Sequence, residues 1–450
     1  MIIPTDLALK YIKDGAQVDK QLRSKARRSC ILKLLDYYNG DNTYQYIAKR
    51  FKASVFQEVP PVSLNITKRF IDRMSRIYTL GASRNVNDTY SELTKLKDAK
   101  MKHIEKMSRL IGTIAVRSLI RYDKNNKPYF DYDPIYYFDC HFGDDPFTPI
   151  AIRYPVMQNV MDSSYESIEN LKHVYWDTHR FILYDEDGKI IEEVLHNLGI
   201  LPFTFIHREH QILEFAVAGA DDIINCNEAI NILLTEACLG MRFQMFGQNV
   251  ITGFYSDEKI QRTGSDEIVI LPEGSNFSNI APGGKINDAI SLIKTLLDVC
   301  AQNNHLHVSF AESQSDRPTS GIALKIKDLE RFEDYQDDIE LYKLYEHRMY
   351  HVERTIAEAA KISLPEIFEV DFNEPHYPQT ASDQIQLENW ELTNNLVSTA
   401  DLLIKRNKEL TKEEALTIIN ENRDINAKGQ PEPQQAGSIF GQLRGAAQKT

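Results

Sequence analysis

"SDRPTSGIALKIKDLERFEDYQDDIELYKLYEHRMYHVERTIAEAA", Ser315 to Ala360, joins a polar, proline-containing loop to a helical pattern far longer than most globular helices. Ile322, Leu329, Phe332, Tyr335, Ile339, Tyr342, Tyr345, Met349, Val352, Ile356 and Ala360 advance by steps near three or four, so one apolar stripe runs along the segment, with Ile326 off the row. About 40 residues at 1.5 Å each make a rod of roughly 60 Å. A compact domain of ordinary size has little room to bury such a rod throughout, so its neighbours are expected to be other helices, of this chain or of another copy. The acidic run Glu330, Glu333, Asp334, Asp337, Asp338 and Glu340 reads as a solvated face.

Upstream, the apolar spacing predicts a helix over Ala218–Phe246 and another over Ile286–Asn303. Between them lies a strand and turn unit, "QNVITGFYSDEKIQRTGSDEIVILPEGSNFSNIAPGG". Helix, small β tip, helix is the layout of a stalk.

Further out, a helix is expected over Asp19–Tyr38, stopping at the turn pair Asn39-Gly40, and another over Ile66–Leu80, capped by Asn65 and closed by Gly81. On the second, Arg69, Arg73 and Arg76 share a face that reads as solvated or subunit-pairing, with DNA contact as the other reading. From Pro128 to Glu209 the chain turns to aromatic and β-branched runs separated by Asp/Gly turns, "DEDG" being a hairpin signal. After Pro365, "EIFEVDFNEPHYP" reads as a strand returning to this β region. A helical hairpin follows, with Thr411 and Glu414 as a capping box, and from Ala427 the composition is that of a mobile tail. The fold class is therefore α+β, predominantly helical.

With 450 residues, 42% of them hydrophobic, the chain can build two or three cores. No run approaches the roughly 20 apolar residues of a membrane span, and the first residues lack a signal-peptide layout, so a cytosol-like compartment is expected. Five scattered cysteines without a CxxC pair read as buried free thiols. The net charge of −13 disfavours static nucleic-acid binding, because each neutralised phosphate needs a cation, but it suits DNA that must move.

Chemistry-bearing motifs are scarce. The sequence contains no phosphate loop, no dinucleotide fingerprint and no nucleophile elbow. His347 and His351 stand at i and i+4, but Arg348 replaces the glutamate of a zinc-protease motif. His207 and His210, and His305 and His307, read as ordinary polar residues. No catalytic residue, metal or cofactor is expected.

The order of these elements resembles portal proteins, the head–tail connectors of tailed double-stranded DNA bacteriophages, in their siphophage form. "LLDYYNGD" (Leu34–Asp41) looks like the family's early tyrosine-glycine segment, and "PPVSLNITKRFIDRMSRIYTLG" (Pro60–Gly81) like its asparagine-started helix. "NLGILPFTFIHRE" (Asn197–Glu209) is similar to the strand before the first stem helix, "SGIALKIKDLE" (Ser320–Glu330) to the start of the long helix, and Leu396–Asn422 to the crown.

The resemblance implies a wing (1–217), stem helices (218–247 and 285–304), a clip (248–284), a tunnel loop (305–321), a long helix (322–362), a strand returning to the wing (363–390), a crown (391–426) and a tail (427–450). It further implies a ring of twelve copies at one capsid vertex of the virion, assembled in the host cytoplasm, through which DNA is packaged and ejected without sequence preference. Partners would be the large terminase subunit, a head–tail adaptor, and the major capsid and scaffolding proteins, with no membrane. The channel-lining candidates are Phe310, Glu312, Ser313, Gln314, Ser315, Asp316, Arg317, Pro318, Thr319, Lys325 and Lys327. Those for motor and adaptor docking are Tyr255, Asp257, Glu258, Lys259, Arg262, Asp266 and Glu267. The polar "ESQSDRPTS" departs from an apolar loop tip, leaving Phe310 as the nearest large apolar residue.

Twelve helices about 10 Å wide would leave a bore of about 28 Å, enough for B-form DNA. Arg317, Lys325 and Lys327 would be weak phosphate contacts or intersubunit ion pairs. Two other readings stay open: a helical adaptor or scaffold without a channel, and a nucleic-acid enzyme with carboxylates clustered in the β region.

Overall fold

The computed structural model describes residues 7–13, 22–52, 60–156, 172–185, 187–246, 248–252, 276–280, 286–306, 329–373, 381–407 and 410–429. The chain divides into two units, Met1–Ser315 with Lys327–Pro375, and Asp316–Ile326 with His376–Thr450. Helix outweighs strand, about 52% to 20%, so the chain is mixed α and β with helix predominating.

The first unit opens with α1 (residues 7–13), α2 (Leu22–Asn39), α3 (Thr43–Ala48) and α4 (Ile66–Met74). α2 stops at the expected place. Gly40 takes φ 84°, and the N–H groups of Gly40 and Asp41 both return to the Asp36 carbonyl, at 2.8 and 2.9 Å. α4 starts as read, with the Asn65 side chain accepting from the Lys68 N–H at 3.1 Å.

It ends at Met74 rather than Leu80, for a tertiary reason. The N–H groups of Ile77 and Tyr78 donate to the Glu105 carboxylate at 2.9 and 3.2 Å, and Ile77–Thr79 tightens into a 3-10 turn. Arg76 therefore leaves the helical face that Arg69 and Arg73 share, although all three are exposed. Gly81, at φ 84°, then turns the chain into a strand that the periodicity did not suggest, β1 (Ala82–Asn85).

Two helices, α5 (Asp88–Leu93) and α6 (Lys97–Ile111), lead into the β region. It begins with β2 (Thr113–Tyr122) and continues through β3 (Pro128–Ile135), β4 (Asp139–Phe142), β5 (Pro149–Val156), β6 (Lys172–Trp176), β7 (Arg180–Tyr184), β8 (Ile190–Leu195) and β9 (Phe203–His207). β3, β2 and β9 form one sheet, and β4 to β8 a five-stranded meander. α1 packs Ala8 and Ile12 against Ala151, Tyr175, Ile182 and Tyr184 of the meander. The "DEDG" turn joins β7 to β8. The Asp185 N–H donates to the Lys189 carbonyl at 3.0 Å, and Gly188 takes φ 81°.

α7 (Asp221–Phe246), the antiparallel pair β10 (Gln248–Thr252) and β11 (Asn276–Ile280), and α8 (Ile286–Asn303) follow the expected order. Next comes α9 (Leu329–Ala359), a helix of 31 residues. The returning strand β12 (Glu369–Phe372) pairs antiparallel with β1, and not with the β region as expected. On α9, Tyr335, Ile339, Tyr342, Tyr345, Met349 and Val352 are buried, Ile356 is half-buried and Ala360 exposed. Ile322 and Ile326 lie outside the described residues.

The second unit holds α10 (Ala381–Thr393), α11 (Thr399–Arg406) and α12 (Lys412–Gly429). Three helices stand where a hairpin was expected, because a second capping box, Ser398 with Asp401, restarts the chain after Asn395 at φ 55°. The Thr411–Glu414 box is present, with the Thr411 N–H donating to Glu414 Oε2 at 2.9 Å. α12 continues to Gly429, past the expected start of the tail.

Candidate functional site

Phe310 to Thr319 with Lys325 and Lys327, and Tyr255 to Glu267, lie outside the described residues. What the structure does place is the frame from which both segments leave. β10 and β11 set Thr252 opposite Asn276, so residues 253–275 depart from and return to one point. At the other segment, His305 Nδ1 lies 2.5 Å from Asp334 Oδ2, so the end of α8 is fastened to the start of α9 across residues 307–328. His305 holds φ 48°, a left-handed conformation uncommon for residues other than glycine.

α7 is rooted at its first half. The Cα of Gly112, at φ 93°, sits against backbone: a Cβ there would meet the Val217 carbonyl and lie 2.5 Å from that of Ala218. Gly219 approaches α6 in the same way, and the Ala220 N–H donates to the Leu110 carbonyl at 2.9 Å. Further along, Asn231 accepts from the Leu64 N–H at 2.9 Å, Thr235 from the Val62 N–H at 2.9 Å, and Asn227 donates to Thr67 Oγ1 at 2.9 Å. Burial pushes the Glu228 carboxyl up, but Lys33 at 2.6 Å and Arg50 at 2.9 Å outweigh it and hold it below its ordinary value.

α8 runs back beside α7. Asn304 donates to Asp222 at 3.3 Å, and the Cys226 thiol to the Leu296 carbonyl at 3.6 Å. Toward the β10–β11 end the pair is no longer buried. Met241 is 44% exposed, Ile290 43%, Leu292 47% and, nearer the root of α8, Val299 49%. Two helices thus leave the core together and carry apolar side chains into solvent.

α9 carries a buried charge network that the sequence did not reveal. Lys97 Nζ, fully buried, stands 2.9 Å from Glu346 Oε2 and 2.8 Å from Glu353 Oε1. Arg84 grips Glu346 through Nε at 3.0 Å and Nη2 at 2.6 Å and reaches Asp98 at 2.7 Å. The Tyr78 hydroxyl donates to Glu346 at 2.8 Å, and those of Tyr90 and Tyr132 to Glu353 at 2.7 and 2.8 Å. Burial alone would raise Glu346, but Lys97 and Arg84 outweigh it and hold the carboxyl at about 2. Desolvation, then the neighbouring carboxylates, push Tyr78, Tyr90 and Tyr132 well above the ordinary tyrosine value. Every buried ion here has a partner, so the network fixes the rotation of α9 rather than offering a reactive group.

The acidic run on α9 is only partly a solvated face. Glu333, Asp337 and Glu340 are exposed, whereas Asp334 meets His305 and Asp338 pairs with Arg109. Burial raises Asp338, more than Arg109 lowers it.

His207 is a core residue. Its Nδ1 lies 2.9 Å from Thr113 Oγ1, and its N–H donates to the Tyr345 hydroxyl at 3.1 Å. Burial, then Arg348, depress it to about 4, so it is neutral. The ring of His347 meets Phe368 edge-on.

In the β region Asp131 is held by Lys100 and Arg121, Asp133 by Arg117, Asp139 by Arg153 and Asp177 by Arg180. Among the described residues no group of three or more His, Cys, Asp or Glu side chains is placed to hold a metal ion. Of the cysteines Cys300 is buried, but Cys30 is exposed, against the expectation that all would be buried. No helix of the described residues is long and apolar enough to cross a membrane. No protein-family model matches the chain, and a search of curated proteins returns no match.

Proposed function

We propose that the chain is the subunit of a portal ring, in which twelve copies enclose a channel for double-stranded DNA at a capsid vertex. The observation that carries this reading is the α7–β10/β11–α8 pair, rooted in the core at one end and exposing Met241, Ile290, Leu292 and Val299 along the rest of its length. Apolar side chains on such a pair need a cover, and in a ring each copy's neighbours supply it. The 31-residue α9 and its clasp to α8 add support, since His305 and Asp334 join the helices on either side of residues 307–328, in which most of the proposed tunnel segment lies.

DNA would pass without being held. Twelve copies at −13 each carry a formal charge of −156, and exposed carboxylates repel phosphates. In this reading the chain performs no catalysis, and terminase supplies the motor. Residues 253–275 would present the docking surface to terminase and the adaptor, and the outer β region would face capsid and scaffolding proteins.

The test is assembly of the Ile290→Glu/Leu292→Glu variant. Rings from the parent chain and folded, smaller species from the variant are expected; rings of unchanged size from the variant would remove the main support.

A further inference from the structure

We infer that β8 is an open docking edge for an extended strand of another protein, one that carries lysine or arginine between apolar residues. β8 ends the five-stranded meander, with β7 on one side and, among the described residues, no strand on the other. All six of its residues are exposed, including Ile191 at 50% and Leu195 at 66%. Ile190 and Val194 are exposed as well. An uncovered apolar edge presents a row of backbone donors and acceptors and is a template for another strand.

The sequence of the edge selects the occupant. The hairpin Asp185–Leu195 contains five carboxylates, Asp185, Glu186, Asp187, Glu192 and Glu193, against one lysine, Lys189. Beyond a bulge at Ile191 the strand pairs regularly with β7, which puts Glu192 and Val194 on one face and Glu193 and Leu195 on the other. A second copy of β8 fits poorly. Centred antiparallel pairing would set Glu192 opposite the other copy's Glu193, and like charges directly opposite destabilise a pair. The far edge of the same sheet, β4, offers Asp139, Cys140, His141 and Phe142, again without lysine or arginine. Arg180 reaches Glu193 only at 3.9 Å. A strand with two central cations and apolar flanks would answer both faces, with backbone pairing supplying affinity and charge supplying selection.

Hydrogen exchange of the full chain tests it, with two synthetic strands as probes, Val-Val-Lys-Lys-Val-Val and its glutamate counterpart. The lysine strand is expected to slow exchange across 190–195 by about tenfold, while the glutamate strand does not. In the Glu192→Lys/Glu193→Lys variant the preference should reverse, which also demonstrates that the variant folds. Absence of protection by either strand, or equal protection by both in the two proteins, would overturn the proposal. Protection that grows with protein concentration alone would overturn it in favour of a second copy.

Discussion

The ammonium of Lys97 lies 2.8 Å from the carboxylate of Glu353, and both side chains are completely buried. One comes from the first turn of α6 and the other from α9, so the pair locks the long helix to the helix that precedes the β region. Replacing Lys97 by methionine leaves Glu353 in the core with only tyrosine hydroxyls. Breaking one partner of such a pair costs about 3–5 kcal/mol, whereas apolar replacement of both is often nearly neutral. Urea unfolding should therefore show a large loss for Lys97→Met and recovery of most of it in Lys97→Met/Glu353→Met.

Glu105 and Glu346 respond to pH in opposite directions. Burial raises Glu105 from 4.5 to about 7, partly offset by the N–H groups of Ile77 and Tyr78 and by Arg109. The folded chain therefore binds the extra proton, and the stability Glu105 contributes is full below 4.5 and lost as pH rises through 7. The change is at most about 3 kcal/mol. Glu346 is held at about 2 against an ordinary 4.5, so its contribution is present above 4.5 and lost as pH falls through 2. Denaturant midpoints from pH 5 to 8 should fall less steeply in Glu105→Gln than in the parent. An unchanged slope would show that Glu105 does not govern this window.

Gly112 is a position where no side chain fits, since a Cβ would collide with the Val217 and Ala218 carbonyls at the root of α7. Gly112→Ala should cost more than about 3 kcal/mol or prevent folding. Gly240, within α7 and with nothing within 4 Å of its Cβ position, is the control. Gly240→Ala should raise stability by up to about 1 kcal/mol. Thermal unfolding of the two variants side by side checks both.

The clasp between His305 and Asp334 fastens α8 to α9. His305→Ala should speed hydrogen exchange in the last turn of α8 and the first described turns of α9, while leaving the β region unchanged. Equal exchange in both proteins would mean that the contact holds nothing.

Much of the fold was legible because local signals and tertiary structure agree. α8 falls on Ile286–Asn303 as its spacing predicts, Asn65 caps α4, and Gly40 and Gly188 turn the chain at the expected points. The reading failed where a distant group intervened. α4 stops early because Glu105 takes the N–H groups that would have continued it, and β12 finds β1 because Gly81 frees a strand with no alternation to announce it.

The buried network did leave a trace. Glu346 and Glu353 fall in line with Ile339, Tyr342 and Met349, so two acids stood on the apolar row and required an internal cation. Lys97, in a segment left unassigned, could not be named from spacing. Of the residues proposed for the site, none lies among the described ones; what the sequence made legible is the order of the helices that flank them, α7 and α8 around residues 253–275, and α8 and α9 around 307–328.

In the proposed reading, copies of this chain close into a ring around a channel. Native mass measurement with single-particle imaging of the purified protein tests it most directly. Twelve times 51.8 kDa is about 622 kDa, and a particle near that mass with an axial opening of about 28 Å is the predicted result. A single monomeric or dimeric species, unchanged across concentration and salt, would contradict it.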